Sequence, residues 1–145
     1  MPLAVLIDPD GSVETIALPD DRATRDRSIV TRLSGTPEPA YYHRRALMHI
    51  HGSGQNQRLA DNLIATTACV WRGLDITSGG GYFLPGRVII TSPDGTSDLA
   101  QDLVEDVHAV AAAVRLLLSR GPAPWSEVLR AARGARDDAG HRGST

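Results

Sequence analysis

The stretch PLAVLIDPDGSVETIAL, residues 2–18, has the pattern of two short strands joined by a tight turn. The strands are PLAVLID (2–8) and SVETIAL (12–18), and Asp8-Pro9-Asp10-Gly11 lies between them. Proline at the second turn position and glycine at the fourth are typical of a type I turn, so the pattern predicts a β-hairpin. A hairpin makes its strands antiparallel, which favours a mainly antiparallel sheet.

Two more strands and two helices are predicted along the next part of the chain. Residues 20–34 have the pattern of a polar helix that Asp20 or Asp21 can cap and Gly35 ends. The segment TPEPAYYHRR is interpreted as a loop leading into a strand over residues 46–51. Residues 56–73 then have helical spacing, with Ser53 or Asn56 as the cap, and RVIITS (87–92) is typical of a buried strand.

The clearest helix is predicted over residues 97–120, with Thr96 or Ser97 as its cap. Its acidic residues lie towards its start and its arginines near its end, as the helix dipole favours. One stripe of the helix is apolar, and we expect that stripe to cover the sheet. The stripe consists of Leu99, Leu103, Val107, Val110, Ala111, Val114, Leu117 and Leu118.

Together these elements predict a single α+β domain over residues 1–133. The domain is a small, mainly antiparallel sheet of about four strands, packed on one side by the 56–73 and 97–120 helices. A short helix is expected over residues 124–133, and the tail 134–145, which lacks apolar anchors, is expected to be disordered. The small residues of AVAAAV (109–114) leave room for a homodimer.

The composition excludes several kinds of chemistry. All fifteen basic residues are arginine, so a P-loop lysine, a Schiff-base lysine and a Ser–Lys dyad are excluded. Cys69 is the only cysteine, which excludes intrachain disulfides and cysteine-based zinc sites. No apolar run has the length of about 18 residues that spans a bilayer, and the start of the chain lacks the pattern of a signal peptide. We therefore expect a cytoplasmic protein that does not contact membranes.

The order of three segments resembles a family of small proteins from actinobacterial phages, plasmids and integrated elements, catalogued as a domain of unknown function. The segments are VLIDPDGSVETIALP, NLIATTACVW and PGRVIITSPDGTSDL, and the resemblance covers about residues 3 to 105. The chain departs from the family in its HIHGSGQN and TSGGGYF segments. The resemblance implies a mobile-element origin and supplies no activity. The matching positions are Asn62, Ala65, Thr66, Gly86 and Val88.

The segment HIHGSGQNQ, residues 49–57, is the main candidate for a site. His49 and His51 lie at i and i+2 on a predicted strand, so they project from the same face, as in some metal sites. A third ligand is needed, and no spacing selects one. The pattern therefore favours a half-exposed sheet face, and we expect neither a tightly bound metal nor a cofactor.

The same segment is also a candidate for anion binding. Gly52, Ser53 and Gly54 lie between a predicted strand and a predicted helix, where backbone N–H groups can hold a phosphate, and Arg58 could add charge. Asn62 and Thr66 stand one turn apart on the helix. They either bind a ligand beside His51, or the asparagine hydrogen-bonds a neighbouring loop while the threonine methyl packs. The second interpretation is favoured.

Catalysis and nucleic-acid binding have weaker support. HGSGQ lacks the spacing of a nucleophile elbow, and the acids of the long helix fit its dipole, so no catalytic residue is predicted. Arginines could track phosphates, although Asp20, Asp21 and Asp26 dilute their charge. The arginines considered are Arg22, Arg25, Arg44 and Arg45.

The sequence therefore favours a non-catalytic accessory protein of a mobile element that binds a host or element protein. The alternative is a protein that binds a small ligand, nucleotide or phosphate at the HIHGSGQN junction. Weak hydrolase activity is compatible with this alternative.

Overall fold

The computed structural model describes residues 1–53, 59–74 and 84–121, together with Glu127 and Arg130. Within these residues the chain forms five strands and three helices. The predicted tail lies outside the described residues, as do the TSGGGYF loop, Gly54 and Arg58, and the predicted 124–133 helix is described only at Glu127 and Arg130, both helical. The elements are β1 (Leu3–Ile7), β2 (Val13–Ala17), α1 (Arg22–Leu33), β3 (Pro37–His43), β4 (Ala46–His51), α2 (Leu63–Trp71), β5 (Val88–Thr91) and α3 (Gln101–Leu118).

The strands form one sheet in the order β2-β1-β5-β4-β3, and all neighbouring strands are antiparallel. The predicted hairpin is confirmed, with Leu3 opposite Ala17 and Ile7 opposite Val13. In its turn the Gly11 N–H donates to the Asp8 carbonyl at 3.0 Å. Gly11 has a φ of +98°, which glycine adopts without the steric penalty of a side chain. The antiparallel sheet and the three helices together confirm the predicted α+β class.

The fifth strand, β3, occupies a segment predicted to be a loop. Pro37 and Pro39 argued against a strand there, because proline cannot donate a hydrogen bond to a neighbouring strand. β3 lies at the edge of the sheet, where one side of its backbone has no strand to pair with, and prolines are tolerated in that position. The prediction of about four strands was therefore one strand short.

Helices cover both faces of the sheet. On one face α2 and α3 enclose the larger core, as predicted, and on the other α1 packs over β1, β2 and β5 through Ile29 and Leu33. Alternate side chains of a strand point to opposite faces, so β1, β2 and β5 contribute to both cores. The sheet residues of the larger core include Val5, Ile7, Met48, Val88 and Ile90, and those of the smaller core include Ala4, Leu6, Ile16 and Ile89.

α2 begins later than predicted, at Leu63 rather than at residue 56. The residues just before it pair with a segment that is distant in sequence. Asn62 N–H donates to the Leu84 carbonyl at 2.7 Å, and Gly86 N–H donates to the Ala60 carbonyl at 2.8 Å. This pairing holds residues 60–62 in an extended conformation, which prevents them from joining the helix.

α3 also begins later than predicted, at Gln101 rather than at residue 97, and neither predicted cap is used. The Asp98 carboxylate accepts a hydrogen bond from Leu3 N–H at 2.8 Å, and Leu99 N–H donates to the Leu3 carbonyl at 2.9 Å. These two bonds hold the segment against the start of β1. The helix therefore begins only after Ala100.

The apolar stripe of α3 is confirmed over most of its length. Leu103, Val107, Val110, Ala111 and Val114 are buried. The stripe was predicted to reach Leu118, but that side chain is 42% exposed and Leu117 packs against the core instead. No helix in the described part of the chain is long and apolar enough to cross a membrane.

Candidate functional site

The two histidines of β4 line two different cavities. His49 lines a cavity beside the start of α1, and His51 lines one at the other end of that helix, near Leu33 and Ser34. The two imidazole rings also have different hydrogen-bond partners. Among the described residues, no group of three or more histidine, cysteine or acidic side chains is placed to hold a metal ion.

His51 has a structural role. Its side chain is 5% exposed, its Nδ1 accepts a hydrogen bond from Ser53 N–H at 3.0 Å, and its Nε2 lies 3.3 Å from the Ser34 carbonyl. A carbonyl only accepts hydrogen bonds, so Nε2 carries the proton. A Cβ at Gly35 would clash with the imidazole ring. His51 therefore ties the end of β4 to the end of α1.

Asn62 and Thr66 are also used inside the fold, as the favoured interpretation predicted. The Asn62 amide donates to the carbonyls of Ile7 and Gly86 at 2.9 and 2.8 Å, and its oxygen accepts from Ala65 N–H at 3.1 Å. The Thr66 hydroxyl donates to the Asn62 carbonyl and accepts from Leu84 N–H. Because these bonds occupy both side chains, neither is available to a ligand.

The anion site predicted after β4 is only partly described. Gly52 and Ser53 are exposed residues of a turn, whereas Gly54 and Arg58 lie outside the described residues. α2 begins only at Leu63, and the Asn62 side chain caps its first turn. Residues 54–58, which include part of the segment predicted to form the anion site, lie outside the described residues, so the anion site stays a prediction.

The structure instead indicates a site between α1 and the sheet, which we call the Arg25 cavity. It has a volume of about 420 Å³, within the range of small-molecule sites. A second cavity of about 510 Å³ shares four of its residues and extends the groove to Pro37 and Pro39 of β3. The Arg25 cavity is lined by Arg22, Arg25, Asp26, Ile29, Leu47, His49, Thr91, Pro93, Asp94, Gly95 and Thr96.

Arg25 is the least usual residue of this cavity, because its guanidinium is buried without an acidic partner. The residue is 6% exposed, and no carboxylate within the described part of the chain lies within 4 Å of it. Its Nη1 donates to the Asp20 carbonyl at 2.8 Å, whereas Nε and Nη2 have no acceptor among the described residues. Arg25 lines the cavity, so a bound anion could accept hydrogen bonds from these two nitrogens.

Gly95 allows this placement of Arg25. A Cβ at residue 95 would lie 3.2 Å from the Arg25 Nε, which is tighter than ordinary packing. Gly95 also has a φ of +74°, a conformation that side chains disfavour. The Ser-Pro-Asp-Gly turn therefore lets the backbone approach the guanidinium closely.

His49 adds a hydrogen-bond acceptor to the cavity. Its Nε2 lies 3.0 Å from the Thr91 hydroxyl, which itself donates to the Ser92 carbonyl at 2.8 Å. When the single hydroxyl proton is directed to the Ser92 carbonyl, the His49 Nε2 donates the first bond. In the neutral ring the Nδ1 is therefore an acceptor, and no described residue donates to it.

We expect His49 to make the protein less stable in acid. Burial lowers the pKa of His49 from its ordinary value of 6.5. The unfolded chain thus takes up a proton near pH 6.5 that the folded protein resists, and the stabilisation is complete above that pH and lost as the pH falls below it. Across that window the free energy of unfolding should fall by at most about 1.4 kcal/mol per pH unit from this group.

Urea denaturation of the wild type and of His49→Gln between pH 7 and pH 5 measures this effect. The variant should show a shallower dependence of the unfolding free energy on pH. Identical slopes for the two proteins would contradict the proposed burial of a neutral His49.

The arginines considered for nucleic-acid binding do not form one surface. Arg22 and Arg25 line the cavity on the α1 face. Arg45 pairs with Asp102 of α3, which covers the opposite face of the sheet. The sequence grouped Arg25 with exposed arginines because nothing in the polar pattern of α1 marked it as buried.

Comparisons with protein-family models, with curated proteins and with solved structures found no match. The resemblance to mobile-element proteins therefore stays a prediction.

Proposed function

We propose that the protein is a non-catalytic binding protein that takes up a small anionic ligand in the Arg25 cavity. One observation carries this proposal, the buried guanidinium of Arg25 that lines a cavity and has no carboxylate partner among the described residues. The sequence already suggested a small-ligand protein as the alternative function. The proposed site is now the groove beside α1 and not the glycines after β4.

The chemistry of Arg25 suits an oxyanion. A guanidinium presents its N–H groups in a planar fork that matches two oxygens of a carboxylate or phosphate. Only Nη1 of Arg25 has acceptors within the described residues. The charge is also held in a largely dehydrated position, where an ionic hydrogen bond is stronger than in water.

The hydrogen bonds around His49 favour binding over catalysis. A histidine that activates a hydroxyl nucleophile must accept its proton. Here the Ser92 carbonyl, 2.8 Å from the Thr91 hydroxyl, competes with the His49 Nε2 for the single hydroxyl proton. This competition disfavours Thr91 as a nucleophile that His49 activates.

We expect Arg25→Gln to abolish or strongly weaken anion binding. Small carboxylates and phosphates that raise the melting temperature of the wild type would be titrated by calorimetry into both proteins. Because hydrogen bonds to charged groups contribute about 1.5–3 kcal/mol, the Kd should rise roughly tenfold or more in Arg25→Gln.

Arg27→Gln is the matched control, since Arg27 is an exposed residue of α1 that does not line the cavity. Its Kd should equal that of the wild type. Equal Kd values for the wild type and a folded Arg25→Gln would contradict the proposal, as would a wild type that none of these anions stabilises.

The second candidate is an accessory protein of a mobile element that binds another protein. The observation that favours it is the exposed edge of β2, a strand without proline that pairs only with β1 among the described strands. Such an edge can accept a strand from another protein or from a second copy of the chain. Thr15→Lys places a charge on this edge and should abolish capture of such a partner, whereas unchanged capture would contradict this candidate.

A further inference from the structure

The Arg25 cavity contains balanced charges of both signs. Arg22 and Arg25 supply two positive charges, and Asp26 and Asp94 supply two negative charges. A phosphate dianion would be attracted by the first pair and repelled by the second. A ligand with one positive and one negative group, and no net charge, complements both pairs at once.

The one buried charge of the cavity is positive. Arg25 is buried, whereas Arg22, Asp26 and Asp94 are exposed residues at its rim, so the rim carries more negative than positive charge. Asp94 accepts a hydrogen bond from Thr96 N–H at 3.0 Å, and this bond lowers the pKa of its carboxyl, which is therefore ionised at neutral pH. Among the described residues, Asp26 has no ion-pair partner within 4 Å. An anionic group is thus favoured deep in the cavity and a cationic group near its mouth.

Two further features describe the rest of the ligand. The His49 Nδ1 is an acceptor without a donor among the described residues, so a ligand N–H group can satisfy it. The cavity also has an apolar part formed by Ile29, Leu47 and Pro93. A ligand that fills it would carry an aliphatic group beside its two charges.

We propose that the ligand is a zwitterion of the α-amino acid class with an apolar side chain. Its carboxylate binds Arg25, its ammonium group lies between Asp26, Asp94 and His49, and its side chain packs on Ile29 and Leu47. This inference rests on the proposed function, and it specifies that the anionic group bound by Arg25 belongs to a zwitterion.

Three probes of nearly equal shape separate the contributions of the two charges. L-Leucine carries both groups, 4-methylpentanoate carries the carboxylate alone, and 3-methylbutylamine carries the amine alone. Titrations followed by calorimetry or by amide NMR shifts should give leucine the lowest Kd, about tenfold or more below those of the other two, because it makes both sets of charged contacts.

Variants of the rim test the position of the ammonium group. Asp26→Asn and Asp94→Asn should each weaken leucine binding and leave 4-methylpentanoate binding equal or tighter. Glu105→Gln, on the exposed surface of α3, is the matched control and should change neither. Both rim residues are exposed, so these variants should remain folded.

The outcomes distinguish this inference from the proposed function. If 4-methylpentanoate or inorganic phosphate binds as tightly as leucine and the binding still needs Arg25, the zwitterion is wrong and the anion site stands. If leucine does not bind while other carboxylates or phosphates do, the inference is likewise overturned. If none of the anions binds, both proposals fail.

Discussion

Replacing Asn62 by alanine is expected to destabilise the protein by roughly 3–5 kcal/mol, because several buried groups would lose their hydrogen bonds together. Asn62 is 0% exposed, and its amide is the donor to the carbonyls of Ile7 and Gly86. It also caps α2 through Ala65 N–H, and the loss of such a cap alone costs about 1 kcal/mol. A domain of this kind has a total stability of about 5–15 kcal/mol, so the effect should be plain.

Urea denaturation compares Asn62→Ala with Asp61→Ala, which removes the exposed neighbouring side chain. The Asp61 variant should stay within about 0.5 kcal/mol of the wild type. A loss below about 1 kcal/mol for Asn62→Ala would mean that the asparagine does not join β1, the 84–86 segment and α2 as described.

The second large effect is expected for Leu103→Ala on α3. Leu103 is 1% exposed and belongs to the larger core, together with Val107, Val110 and sheet residues of β1 and β5. Truncating it removes buried apolar surface and leaves a cavity, which costs roughly 2–5 kcal/mol. The melting temperature and the urea midpoint should both fall clearly.

Arg115→Ala is the control for the opposite face of the same helix. Arg115 is an exposed residue, so its replacement should cost less than about 1 kcal/mol even though its Nε donates to the Gly11 carbonyl at 2.8 Å. Equal losses for the two variants, or a larger loss for Arg115→Ala, would show that the wrong face of α3 has been assigned to the core.

Elements with strong local signals were predictable from the sequence. The first hairpin is specified by its turn residues, and β4 matches the predicted range of residues 46–51. β3 was missed because its two prolines are unfavourable in a paired strand and acceptable at an edge. Whether a strand lies at an edge depends on the whole topology, which no local pattern contains.

The starts of two helices show the same limit. Local spacing placed the beginnings of α2 and α3 several residues too early. In the structure the preceding residues are held by partners far away in sequence, Leu84 and Gly86 in one case and Leu3 in the other. Such long-range bonds override a local helical preference and have no signature in the segment itself.

The candidate site was predictable only in part. The sequence identified His49 as a candidate site residue. It paired His49 with His51, but in the structure His51 lines a different cavity. Arg25 was considered as one member of an exposed basic surface. Its burial depends on the contact with Gly95, about seventy residues further along the chain, which no local pattern in α1 indicates.

The Arg25 side chain itself provides the most direct test of the anion site. Its Nε–Hε group gives its own signal in a two-dimensional ¹H–¹⁵N NMR spectrum, which can be assigned by comparison with Arg25→Gln. The signal should exchange slowly with solvent and should shift on titration with L-leucine or another carboxylate, while the signal of exposed Arg27 stays in place. An Arg25 signal that exchanges as fast as that of Arg27, or that does not move with any carboxylate or phosphate, would contradict the proposed anion site at Arg25.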